Sequence, residues 1–187
     1  MAQIDAFKKY FKPVADEPNK VDSSVCSKCT RCCCLAMGCH ISPDDLQNIS
    51  VESIIGLIDE SQCVSIDYWE GNPITNEHEG RGYYLRMRNV DSHVIDPAYQ
   101  GVCSILTPTG YPLPFTHRPK GARELIPCAT SDCYAGYTKQ QCAIDWMQYQ
   151  DIMEAVYQHY HDIGDEKIND IGDAIDGMLY GILGGFL

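Results

Sequence analysis

No run of about eighteen apolar residues, the length a helix needs to cross a bilayer, occurs in this chain, so no membrane-spanning helix is expected. The first ten residues, Met-Ala-Gln-Ile-Asp-Ala-Phe-Lys-Lys-Tyr, lack the apolar core of a secretory leader, which points to a reducing, cytoplasmic setting. Basic residues are scarce: 14 Lys and Arg stand against 26 Asp and Glu, a net charge of −12. That balance argues against a general nucleic-acid coat and against a binder of anionic membranes. A separate second C-x2-C knuckle is missing, and so is an H-x3-5-H pair, the patterns in which structural zinc sites are usually written. No internal repeat is visible, and 187 residues suit a single domain, 1–187, with an adequate core.

Cysteine is plentiful. Six of the eleven cysteines fall between Cys26 and Cys39, in the run Cys26-Ser-Lys-Cys29-Thr-Arg-Cys32-Cys33-Cys34-Leu-Ala-Met-Gly-Cys39. A thiolate at every third residue lets a short loop wrap around one point, the geometry that ligates a metal ion or an iron–sulfur cluster. Cys26, Cys29 and Cys32 reproduce the three local ligands of a ferredoxin-type loop, whose fourth cysteine arrives from far along the chain. The spacing therefore favours a [4Fe-4S] cluster, one or two, over zinc. A disulfide framework fits poorly, because the cysteine count is odd and adjacent cysteines bridge awkwardly. A thioredoxin-type pair would not be followed by consecutive cysteines.

The rest of the chain reads as α+β: a small irregular metal-cluster domain, mostly helical, with a short β-sheet and a C-terminal helical hairpin. Ile4, Phe7, Tyr10 and Phe11 stand at helical spacing before Pro13. Ser42-Pro43-Asp44-Asp45 has the cap, proline and acidic first turn of a helix start, and Ser50 restarts a helix through Val51, Ile54, Ile55 and Ile58. Tyr83 to Val90 alternates Tyr83, Leu85 and Met87 against Tyr84, Arg86 and Arg88, as a half-buried strand does. Gly80-Arg81-Gly82 is too short for a phosphate loop and reads as a turn. Five prolines between Gly101 and Tyr137 exclude helix over most of that stretch. From Lys139, Ala143, Ile144, Met147, Ile152, Ala155, Val156 and Tyr160 line one helical face up to Gly164, and Ile168, Ile171, Ile175, Met178, Leu179 and Ile182 line a second. Within the one domain, residues 24–136 form the cysteine-cluster core and 139–187 a helical region.

The run Cys26-x-x-Cys29-x-x-Cys32-Cys33 resembles the signature of the CxxCxxCC cysteine-cluster family, described as zinc- or iron-chelating. Further matches lie in Ser42-Pro-Asp-Asp-Leu46, in Cys103-Ser-Ile-Leu106 and in Arg118-Pro119-Lys-Gly-Ala122-Arg123, so the resemblance spans about residues 24 to 127. It implies Cys26, Cys29, Cys32, Cys33 and Cys103 as ligands. The family's two later cysteines fall on Pro112 and Ala122, which carry no ligand atom, while Cys34, Cys39, Cys128, Cys133 and Cys142 are additional. Cys128 and Cys133 are expected to replace the missing pair, and Cys39 joins the metal candidates. The resemblance extends to a flagellin lysine methylase and to proteins proposed as iron–sulfur isomerases in phage pathways that remodel thymine in DNA. It implies that the motif can serve an isomerase-type enzyme.

Three functions follow as expectations. The first is an iron–sulfur enzyme whose cluster acts as Lewis acid or redox centre on an anionic small molecule or a modified nucleotide. Six basic and two acidic residues between Arg81 and Arg123 give that segment a local positive balance, and Arg118 and Arg123 could clamp such a substrate, although ordinary salt bridging is an equal reading of both. His117 precedes Arg118 and is the acid–base candidate, and His40 follows Cys39 as a supporting group; His78, His93, His159 and His161 read as surface residues. The second function is a non-catalytic zinc module, and the third an iron-handling adaptor whose protein partner supplies the chemistry.

Overall fold

A computed structural model describes residues 2–14, 39–75, 77–90, 92–97, 101–107, 112–126 and 134–164. Cys26, Cys29, Cys32, Cys33, Cys34, Cys128 and Cys133 lie outside the described residues, as does the helical pattern from Ile168 to Ile182.

Helix α1, Ala2–Tyr10, places Phe7 and Phe11 in the core, their rings stacked at 3.8 Å, and packs against α2, Val51–Ser61. The Ser50 hydroxyl caps α2 by accepting from the Ser53 amide, and Gln62 closes it in the left-handed region at φ 53°. Tyr10 lies across Gly56 of α2, where a Cβ would meet its hydroxyl at 2.6 Å, and that hydroxyl donates to Glu60. Both sequence-based helices are present. The Ser42 start is different: Ser42 and Asp45 cap one another, yet the helix is a single 3-10 turn, Pro43–Asp45, and Leu46 is already extended.

Three antiparallel strands follow, in the order β1 (His40–Ile41), β3 (Arg81–Met87), β2 (Val64–Glu70). Register pairs His40 with Arg86, Ile41 with Leu85, and Val64 through Glu70 with Met87 through Arg81. The turn joining β2 and β3 uses Gly71 and Gly80 at φ 76° and 86°, so the predicted glycine turn is present, while Gly82 belongs to the strand. One face of the sheet carries Ile41, Val64, Ile66, Leu85 and Met87. The other carries His40, Ser65, Asp67, Tyr84 and Arg86, and it too is buried, so the alternation along β3 separates an apolar face from an interior polar one.

The short helix α3, Lys120–Arg123, precedes a two-stranded ribbon of β4 (Leu125–Ile126) and β5 (Tyr134–Ala135). Thr138 and Gln141 form a reciprocal cap at the start of α4, Lys139–Trp146. The chain continues through a 3-10 turn, Met147–Tyr149, into α5, residues 150–164. This helical tract finishes the sheet. The Trp146 indole and the Cys142 thiol donate to the Ile41 carbonyl at 2.8 and 3.4 Å. Where β1 stops, the Gln150 side-chain amide accepts from the Tyr83 N–H at 2.8 Å and donates to the Tyr83 carbonyl at 2.9 Å, as a further strand would. At the outer edge of β2, Ile66 exchanges hydrogen bonds with Val94 and Asp96. Among the described residues no helix is long and apolar enough to cross a membrane.

Candidate functional site

The cysteine run ends at Cys39, whose carbonyl accepts from the Met87 amide at 2.9 Å, extending the β1–β3 ladder by one residue. Beyond Met87 the same strand continues irregularly to Asn89, which forms an antiparallel bridge with Cys103, and the Ser104 amide donates to the Arg88 carbonyl. Cys39 and Cys103, distant in sequence, therefore stand opposite Met87 and Asn89 at the C-terminal end of β3. Met87 and Asn89 are two residues apart along the strand, roughly 7 Å of backbone. Cys103 is fully buried and Cys39 partly so.

Two other thiols are buried, Cys63 within electrostatic reach of Cys103 and Cys142 on α4. Cys63, whose carbonyl accepts from Arg88, is buried beside Ser61, and burial pushes its thiol up to about 11. Cys142 is a buried residue of α4 facing β1, and its thiol is also raised well above the ordinary range by burial. Neither is poised to ionise.

The Arg118-Pro119-x-x-x-Arg123 segment is seated against the strand that leaves the cysteine run. Pro119 opens α3, and Gly121 meets His40 so closely that a Cβ would lie 2.7 Å from the His40 nitrogen. Asp45 ties the two pieces together. Its Oδ2 accepts from the Ser42 and Lys120 amides, each at 2.9 Å, and its Oδ1 accepts from the Arg123 Nη1, also at 2.9 Å. Burial pushes the Asp45 carboxyl upward, against the pull of the Lys120 amide and Arg123. Asp45 carried no site signal in the sequence beyond its place in a helix cap.

This arrangement bears on each arginine. Arg123 is held inside the protein: Nη1 bonds Asp45 and the Arg118 carbonyl, and Nε is buried with no partner among the described residues. It acts here as a buried brace, the salt-bridging alternative. Arg118 donates from Nε to the Leu113 carbonyl at 3.0 Å and stays half-buried. His117 ends the 3-10 turn Phe115–His117, its Nδ1 3.1 Å from the Thr116 hydroxyl. His40 is buried and bonded toward the Tyr137 backbone, and burial lowers it to about 4, so its ring is neutral at physiological pH.

Among the described residues, no three His, Cys, Asp or Glu side chains form a group that could hold a metal ion. The fold brings Cys39 opposite Met87 and Cys103 opposite Asn89 at the end of β3. The predicted convergence of Cys128 and Cys133 on this point falls outside the described residues. No family model matches the chain, and neither a curated protein nor a solved structure similar to it was found.

Proposed function

We propose that this chain binds an iron–sulfur cluster of the [4Fe-4S] type through Cys26, Cys29, Cys32 and Cys33, with Cys103 as the distant donor and Cys39 as a further candidate. The observation that carries the reading is that β3 pairs with Cys39 at Met87 and with Cys103 at Asn89, so a cysteine from far along the chain is brought to the strand that receives the end of the cysteine run. A second support is the seating of the Arg118 to Arg123 segment on His40, directly after the cysteine run.

A cluster with an open iron site supplies a Lewis acid for hydroxyl or carboxylate groups. The chain's own contribution is positional. Arg118, half-buried at the start of this segment, offers a guanidinium to an anionic substrate, and His117 offers a ring nitrogen for proton transfer. Arg123 and Asp45 hold the segment in place. The reaction proposed is an isomerase-type step on an anionic small molecule or a modified nucleotide, of the kind used in remodelling phage DNA bases, in a reducing compartment.

Anaerobic reconstitution followed by iron and acid-labile sulfide analysis tests the reading. Iron and sulfide in matching amounts, lost in Cys103→Ser and kept in Cys142→Ala, are expected. Stoichiometric zinc without sulfide overturns it in favour of a zinc module. Arg118→Ala should weaken anion-induced changes in the cluster spectrum and leave iron content intact.

A further inference from the structure

The polar face of the sheet holds a cluster of charges apart from the proposed cluster ligands. His40, Ser65, Asp67, Tyr84 and Arg86 share it, each at most 5 % exposed. Arg86 is fixed inside the protein: Nε donates to Asp67 at 3.2 Å, Nη1 to the Met87 carbonyl at 3.0 Å, and Nη2 to the Asp96 carbonyl and carboxylate at 2.6 and 3.1 Å. Lys139, the first residue of α4, reaches in from the rim. Its Nζ lies 3.8 Å from Asp67 Oδ1 and 5.8 Å from the centre of the Tyr84 ring, while 18 % of its side chain stays open to solvent. The Tyr84 hydroxyl is buried next to the Asp67 carboxylate and makes no well-formed hydrogen bond among the described residues. Buried ion pairs add little stability over apolar packing, so this grouping invites a chemical role.

We propose that Lys139 is a reactive amine that forms an imine with a small aldehyde entering along its solvent-open side, with the Tyr84 hydroxyl donating to the carbonyl oxygen. Nζ attacks the carbonyl carbon and the C–N bond forms. The C–O bond then breaks, and the oxygen leaves as water carrying the two amine hydrogens, so a neutral amine and an aldehyde give a neutral imine and water. Burial lowers the Lys139 pKa and Arg86 adds to that, while Asp67 and Glu70 oppose it, so this amine gives up its proton more readily than an exposed lysine. This site uses none of the proposed cluster ligands and stands independently of cluster binding.

The test is competitive labelling of the full chain with glycolaldehyde and cyanoborohydride near neutral pH, read by peptide mass spectrometry. Lys139 should be alkylated several-fold faster than the exposed Lys8 and Lys9, and Tyr84→Phe should slow Lys139 alone. Labelling of Lys139 at or below the rate of Lys8 and Lys9 in the unaltered protein overturns the proposal without any variant. An unchanged Lys139 rate in folded Tyr84→Phe also overturns it, since the amine would then react without a built site.

Discussion

The Asp45 carboxylate accepts a hydrogen bond from the Lys120 amide at 2.9 Å across 75 positions of sequence, and through its other oxygen it holds Arg123. One buried acid thus fixes the Arg-Pro segment to the strand that follows the cysteine run. Asp45→Ala leaves Arg123 buried without its counter-charge and strands two amides, so a loss of about 3–5 kcal/mol is expected. Urea unfolding measures it, and Asp45→Ala with Arg123→Met should lose less than the sum of the two single changes.

Gly121 packs against the His40 backbone with no room for a side chain. Gly121→Ala forces α3 away from β1 and should destabilise by about 1–3 kcal/mol. Thermal unfolding reads the loss. A Tm equal to that of the unaltered protein would mean that α3 can be displaced without effect.

Alkaline pH should be damaging. Cys63 titrates at about 11 in the fold and at 9.0 when unfolded, so the unfolded chain releases this proton first as pH rises. Stability from this thiol is complete below pH 9 and is lost between 9 and 11, by about 3 kcal/mol. Tyr84 and Tyr137, raised by burial in the same way, act in the same direction at higher pH. Urea midpoints across this range should fall less steeply in Cys63→Ala.

Gln150 satisfies both backbone groups of Tyr83, a residue only 6 % exposed. Gln150→Leu leaves them unpaired at similar side-chain size, and about 2 kcal/mol of destabilisation is expected. Amide hydrogen exchange at Tyr83 should rise more than at Leu85, which keeps its partner on β1.

The legible parts of the fold were those with local periodicity. Phe7 and Phe11, the Ser50 cap and the apolar spacing from Ala143 to Tyr160 each encode a helix within a few residues. The Ser42 cap misled because its partner, Asp45, turns both carboxylate oxygens to groups that include Lys120 and Arg123, and the helix stops after one turn. Alternation along β3 was visible, but sequence gives no sign that Tyr84 and Arg86 face an interior lined by Asp67 and Lys139, because those partners come from β2 and α4. Cys103 was expected as a ligand only through its resemblance to a motif, and its neighbour across the strand, Asn89, had no signal at all.

Gln150 on one side of the sheet and the Val94 to Asp96 backbone on the other occupy the hydrogen-bonding positions of Tyr83 and Ile66. An incoming strand from a second copy finds those positions already taken, so the sheet is guarded against intermolecular β-pairing there. The guard at Tyr83 is one side chain, and a single substitution opens an adhesive strand edge.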